Sequence, residues 1–365
     1  MSERDHTSET AEAHVESASR RLDLRDVFYV LGLITLVVAV LVLAADVLAP
    51  IVLAVLIWFL VNAIAQGLRS VAPSLPQSAA LTFGAVTTLG VMYLCGSLIV
   101  SNLSELSDGF DQLGPRADAA VRAVEAQIGF DLDLEVSAIL QNLQIQDFLG
   151  QIVSALTSTA STTLLVLLYV LFLLFDQPHY QAKIRALFPD EARYNRVGAV
   201  LAKIGEDARI YIWIMTTVSI GVGLLTYFIA SYFGLKGAAF WGFLAFALNY
   251  IPTIGSFLGV LFPAAFALVQ FDHLEDVGLL VIGLGVVQFV AGNLILPRVT
   301  GDRLNLSEFV VILSLTVWGA MWGVAGMFLA VPMMMVLAIV LSQFDSTRPL
   351  AILLSKTGKV ARAED

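Results

Sequence analysis

Two stretches of this chain are too long and too apolar to be single straight membrane helices. Ala238 to Phe271 is 34 residues without one charge, and Phe309 to Leu341 is nearly as long. A straight helix of that first length measures about 51 Å, whereas a hydrocarbon layer is about 30 Å thick. Both stretches must therefore bend, and each carries its own breakers. Asn249-Tyr250-Ile251-Pro252-Thr253-Ile254-Gly255-Ser256 interrupts the first, with Gly259 close behind. The glycines Gly319, Gly323 and Gly326 interrupt the second. Each has one G-x-x-x-G (Gly255/Gly259 and Gly319/Gly323) and a later proline, Pro263 or Pro332.

Lipid is the expected solvent for the rest of the chain as well. Hydrophobic residues make up 58% of the 365, charged residues only 14%, and the mean hydropathy is +0.84, more apolar surface than one soluble core can hide. Further uncharged runs cover Val27 to Ala45, Val47 to Leu68, Ala79 to Val100, Ile152 to Phe175, Ile210 to Phe233 and Val277 to Leu296. The expected fold class is all-α: a polytopic membrane protein of about eight segments, two of them broken hairpins over 238–271 and 309–341.

Lysine and arginine orient the chain, because they favour the cytoplasmic side. Seventeen of the twenty fall in the two tails and in alternate loops, leaving Arg116, Arg122 and Lys236 on the other side. Both termini are thereby expected inside, with a tail over 1–26, membrane helices over 27–100, and an extracytoplasmic amphipathic insertion over 101–151. A transport core over 152–345 then includes a cytoplasmic loop, 176–209, and precedes a tail over 346–365. The loop mixes charges with Ile184, Leu187, Val197 and Leu201, as an amphipathic helical hairpin does. In the insertion, Phe130 to Val136 alternates as a short strand would, and a stretch this short equally suits an extended linker. Its apolar helix faces suit the bilayer surface, self-packing or a subunit contact, so a homo-oligomer is one possible assembly.

The flanking loops fix the direction of the two overlong stretches. Gly234–Gly237 and Asp272–Asp276 bracket the first on the side poor in Lys and Arg, while Pro297–Glu308 and the C-terminal tail bracket the second on the rich side. Each stretch must return to the face it left, one dipping from outside and the other from inside. A pair of interrupted apolar segments with opposite entry sides points to a transporter site. The interruption frees backbone N–H and C=O groups, which lipid cannot satisfy, so they must be buried in protein or line a wet cavity. Tight helix turns packed through glycine are the simpler alternative.

Residue chemistry removes several function classes. The uncharged runs hold no intramembrane carboxylate or histidine for a proton relay, and all four His lie outside them. Serine hydrolysis and metal hydrolysis lack their partners for the same reason. Cys95 is the sole cysteine, so no disulfide within the chain and no thiolate metal site is expected. The net charge of −10 lies on the external face and argues against a nucleic-acid partner. No cofactor motif is present: Gly221-Val222-Gly223 and Gly283-Leu284-Gly285 fall within membrane helices. Amides and hydroxyls remain at depth, among them Asn62, Gln66, Asn249, Thr253, Ser256, Gln288, Asn293, Ser314 and Thr316. They suit a neutral hydroxylated solute, an alkali cation, or plain helix-to-helix hydrogen bonds.

Gln288-x-x-x-x-Asn293-x-x-x-Pro297, then Gly301-Asp302-Arg303-Leu304, then Gly326-Met327-Phe328-Leu329-Ala330-Val331-Pro332, resembles the C-terminal half of the autoinducer-2 exporter family of permeases. Pro252-Thr253-Ile254-Gly255 is similar to a second motif of that family. The resemblance extends over Val27 to Leu341. It implies a bacterial inner-membrane protein that is not an enzyme, exporting a small quorum-sensing furanone in some members and linked to sodium or lithium/proton antiport in others. The expected reading is export of a small polar solute by alternating access, with cation/proton antiport and a non-transporting scaffold as alternatives. The expected solute contacts are Asn249, Pro252, Thr253, Gly255, Ser256 and Gly259 on the first break. Gln288, Asn293 and Pro297 follow on the intervening helix, and Gly319, Gly323, Gly326 and Pro332 on the second break.

Overall fold

The computed structural model describes residues 24–111, 160–300 and 305–360, together with residues 119 and 122. Most of the insertion over 101–151, expected to be extracytoplasmic, lies outside the described residues, and so does the strand or linker over 130–136. Among those residues the chain is helical, with one isolated antiparallel bridge between Leu306 and Ser355. The helices are α1 (Leu24–Leu43), α2 (Ala45–Val71), α3 (Gln77–Asp111), α4 (Ala160–Asp176), α5 (Tyr180–Leu187), α6 (Glu191–Tyr232), α7 (Ala238–Leu248) and α8 (Ile254–Gln270). They continue with α9 (Leu274–Phe289), a π-helical stretch (Val290–Ile295), α10 (Leu296–Thr300), α11 (Glu308–Ser342) and α12 (Arg348–Leu354).

Among the described residues, five helical stretches are long and apolar enough to cross a membrane: Ala45–Val71, Leu164–Leu187, Glu191–Tyr232, Leu274–Thr300 and Glu308–Ser342. Leu31–Leu43, Ala238–Leu248 and Ile254–Gln270 are apolar but shorter. The 11 residues of α7 rise only about 16 Å, half a hydrocarbon layer. The chain divides into two compact units after Leu48. In the first, α1 presents Phe28, Leu31, Leu36 and Val40 outward, the all-round apolar surface of a helix solvated by lipid.

Two expected boundaries move. The third helix runs on through Asp111 instead of ending at Val100. In the loop expected over 176–209, Gln177–His179 form a 3₁₀ turn with Pro178 at its start, α5 follows, and the second limb is continuous with the next membrane helix. Nothing between Glu191 and Ile210 breaks a helix, and Lys203 pairs with Asp207 one turn on, at 3.5 Å. The resulting α6 has 42 residues, about 63 Å, so it overshoots any bilayer.

In the second unit the packing is centred on α6 and α7, the most extensive helix pair. They approach backbone to backbone: a Cβ on Gly223 would stand 2.8 Å from the Gly242 carbonyl, and one on Gly242 would stand 2.7 Å from the Gly223 carbonyl. Small residues give membrane helices this proximity where no hydrophobic drive separates protein from lipid. Trp241, Phe262, Leu280, Leu284 and Leu329 are fully buried around this pair. Asn62 and Gln66 on α2 are used between helices. Trp58 Nε1 donates to Gln177 Oε1 at 2.9 Å, Gln177 Nε2 donates to Asn62 Oδ1 at 3.0 Å, and Arg209 donates to Gln66 at 2.8 Å.

Both overlong stretches fold back on themselves. The α6–α7 turn uses Gly234 (φ 71°) and Gly237 (φ 69°), and the Leu235 N–H reaches back to the Ala230 carbonyl in a Schellman-type cap. Gln270, the last residue of α8, donates to the Gly234 carbonyl and accepts from the Lys236 N–H, both at 2.8 Å. The far end of the hairpin α7–α8 is thus tied to the turn where it began. In α11 the ends are tied through the C-terminal segment. Ser307 N–H donates to the Leu354 carbonyl at 3.0 Å, Lys356 N–H to the Asn305 carbonyl at 3.0 Å, and the Asn305 side chain bonds both Thr357 and Lys359. Between the two bases runs Leu274–Thr300, 27 residues, about 40 Å. The hairpins therefore point toward each other from opposite ends.

Candidate functional site

The first tip is built from residues that cannot continue a helix. Pro252 has no N–H and disfavours helical backbone at Ile251, and Thr253 takes a positive φ of 64°. The freed groups are re-bonded locally: Ile251 N–H to Leu248 O at 2.8 Å, Gly255 N–H to Ile251 O at 2.8 Å, and Phe257 N–H to Thr253 O at 3.1 Å. Gly255 lies so close to the Leu248 carbonyl that a Cβ would overlap it. Asn249 donates to Ser219 of α6 at 2.8 Å, and Tyr250 shares a 2.7 Å hydrogen bond with Thr216. These two bonds anchor the tip to the long helix.

The second tip needs one residue. Gly323 has φ 61° and ψ −141°, backbone open essentially to glycine, and α11 reverses there. In a straight helix Trp318 and Gly326 would be about 12 Å apart along the axis, yet a Cβ on Gly326 would overlap the Trp318 carbonyl. A Cβ on Gly319 would come within 2.9 Å of the Met327 side chain, so the same closure continues one step further out. Trp318 and Trp322 pack with ring centroids 5.1 Å apart and planes tilted by 59°. The two tips meet: the Tyr250 ring lies 4.8 Å from that of Phe328, two residues past Gly326.

Beside the first tip lies a cleft of about 690 Å³. Asn249, Pro252, Thr253 and Ser256 of the tip line it, with Gln288 of α9 and Gly292 and Asn293 of the π-helix. Tyr211, Met215 and Val218 close it from α6, and α11 contributes Val311 and Val331. No lining residue carries a charge. The π-helix has a local cause, because Pro297 can give no N–H to the Asn293 carbonyl and its ring crowds that carbonyl. Such widened turns recur at functional sites.

Of the thirteen residues expected to contact solute, the structure brings Asn249, Pro252, Thr253, Ser256, Gln288 and Asn293 together around this cleft. Gly255 and Gly259 stand behind the wall; a Cβ on Gly259 would reach 2.8 Å from Gln288 Nε2. Pro297 follows the π-helix on an exposed turn, and Pro332 is buried next to Val331. Gly319, Gly323 and Gly326 close the second tip on itself and do not line the cleft. Tyr211 is the polar lining residue that sequence reasoning missed, along with the apolar remainder of the wall. Its spacing with Met215 and Val218, four and then three residues, places all three on one helix face, the signal available beforehand.

The comparisons with known proteins rest on the whole membrane region. Residues 29–345 match the family described as the AI-2E family transporter. This chain belongs to the AI-2E transporter family. It is 30% identical to "AI-2 transport protein TqsA" of Escherichia coli over 333 residues, covering 90% of this chain and 95% of that one. "Putative transport protein YhhT" of Escherichia coli is 25% identical over 316 residues, 85% and 88% of the two chains. A "Putative transport protein" of Haemophilus influenzae is 28% identical over 325 residues, 86% and 91%. This AI-2E protein is accordingly a multi-pass membrane transport protein, and the breaks and the cleft fall inside the matched region.

Proposed function

We propose that this AI-2E protein exports a small polar solute of the autoinducer-2 type by alternating access, using the cleft beside the first tip as its binding site. The supporting observation is the cleft itself: a charge-free, mostly apolar cavity at a broken helix and a π-helix, into which a few amides and hydroxyls are set, within a region that matches a transporter family. A small hydroxylated molecule suits such a lining, because its hydrogen bonds replace those it leaves in water. Alternating access follows from two oppositely pointed hairpins whose tips touch at Tyr250 and Phe328, an interface that rocking of one hairpin opens and closes. Both termini lie in the cytoplasm on this reading, as the Lys and Arg distribution directs.

Proton coupling through the cleft has no titratable carboxylate or imidazole among its lining residues. The test is a flux assay in reconstituted proteoliposomes loaded with autoinducer-2. Release at least tenfold above protein-free vesicles, without need of a sodium gradient, is the expected result. Release at the protein-free rate, or sodium-driven proton movement without solute release, contradicts the proposal.

A further inference from the structure

The polar groups around the cleft fall into two sets. Asn249 donates its amide to Ser219, Asn293 donates to the Phe289 carbonyl at 3.2 Å, and Tyr250 is joined to Thr216. These bonds hold backbone and helices in place. Gln288 and Tyr211 differ. Gln288 is 6% exposed and Tyr211 3%, and the amide nitrogen, the amide oxygen and the phenolic oxygen have no hydrogen-bond partner among the described residues. Buried polar atoms in native proteins are almost always hydrogen-bonded, so three unbonded ones on two side chains that line one cleft mark where an entering molecule, water or a solute that displaces it, would bond.

We propose that Gln288 and Tyr211 are the specificity-determining groups of the cleft and that they select an uncharged solute bearing at least two hydroxyl or carbonyl groups. This rests on the transport reading above and adds to it which side chains recognise the solute and by what chemistry. An amide offers a donor and an acceptor, and a phenol offers both on one atom. A hydroxyl or carbonyl group meets each without a change of charge. A carboxylate or phosphate would be desolvated with no cation opposite it, and a bare metal cation would find no anionic ligand among the lining residues. Discrimination of this kind is strong, because a solute lacking the matching group leaves the amide and the phenol unpaired.

Gly259 sets the position of the Gln288 amide. A methyl at Gly259 would push on Nε2, the far end of a flexible side chain, and its next neighbours stand at 3.8 Å or beyond. Gly259→Ala is therefore compatible with the fold while displacing the recognising group. Tyr211→Phe removes only the hydroxyl, and Gln288→Leu replaces the amide with a somewhat shorter apolar side chain.

The experiment measures concentration-dependent flux of glycerol, erythritol, ribose, succinate and sodium in proteoliposomes of wild type and the three variants, with thermal unfolding of each in detergent. The expected result is protein-dependent flux of at least one neutral probe and of neither charged probe. Gln288→Leu and Tyr211→Phe each lower that flux at least tenfold at low probe concentration, and Gly259→Ala lowers it less. The unfolding temperature of Gln288→Leu without solute is unchanged or raised, and its shift on adding the transported probe is lost. Neutral-probe flux equal to wild type in both variants overturns the assignment while leaving transport standing, as does protein-dependent flux confined to succinate or sodium. Absence of protein-dependent flux for every probe overturns this inference, whereas the transport reading falls only if autoinducer-2 release in the same vesicles also stays at the protein-free rate.

Discussion

Gly255→Ala reduces solute flux to the level of protein-free vesicles. The added methyl overlaps the Leu248 carbonyl, which belongs to the backbone, accepts from the Ile251 N–H at 2.8 Å, and has no rotamer in which to escape. Relief requires the tip to open, which breaks that bond and the Gly255-to-Ile251 bond with it. The expected loss of stability is about 3 kcal/mol or more, at the upper end of overpacking. Membrane insertion survives, because it depends on apolar length and leaves α7 and α8 unchanged in composition. The check pairs flux in proteoliposomes with protease accessibility of the loops. Wild-type flux from Gly255→Ala would show that the tip does not need the close approach seen here.

At the second tip the expected effect has a different cause. A Cβ at Gly323 meets no atom within 4 Å, yet φ 61° and ψ −141° lie where L-residues are strained by about 1–3 kcal/mol. Gly323→Ala therefore tests backbone conformation without collision, whereas Gly326→Ala adds collision with the Trp318 carbonyl. The expected order of unfolding temperature in detergent is wild type, then Gly323→Ala, then Gly326→Ala. Gly221→Ala is the control, since that glycine is in ordinary helix with open space around its Cβ position and gains up to about 1 kcal/mol of helix propensity. If Gly323→Ala unfolds no lower than Gly221→Ala, the reversal at Gly323 is not the native conformation.

Much of this arrangement is legible in the sequence because the physical demands on it are severe. A stretch of 34 uncharged residues has to bend, and Asn249 to Ser256 clusters the Asn, Pro and Gly that can reverse it. Where Lys and Arg lie is the basis for the proposed orientation, with both termini inside. The second break is harder to place, since Gly319, Gly323 and Gly326 are equal candidates in the sequence and only backbone angles single out Gly323.

The site is less legible than the fold. The cleft lies beside the first tip and against the π-helix instead of between two glycine faces, because the second tip closes on its own Trp318, Trp322 and Met327. Which amide is free also depends on tertiary partners. Asn249 and Gln288 look alike in a sequence, but Ser219 occupies one and nothing among the described residues occupies the other. The 42-residue α6 was hidden for a similar reason, as charge content marks where a helix leaves lipid and says nothing of where it stops.

The most direct test is labelling of Ser256 in the cleft wall. With the sole cysteine, Cys95, replaced by serine, Ser256→Cys is treated in proteoliposomes with a small, charged, membrane-impermeant thiol reagent while flux is recorded. The predicted result is labelling from water that stops flux and is slowed by the transported solute. A thiol that reacts only after denaturation, or one that reacts fully while flux continues unchanged, would contradict a water-accessible solute path at the tip of the first hairpin.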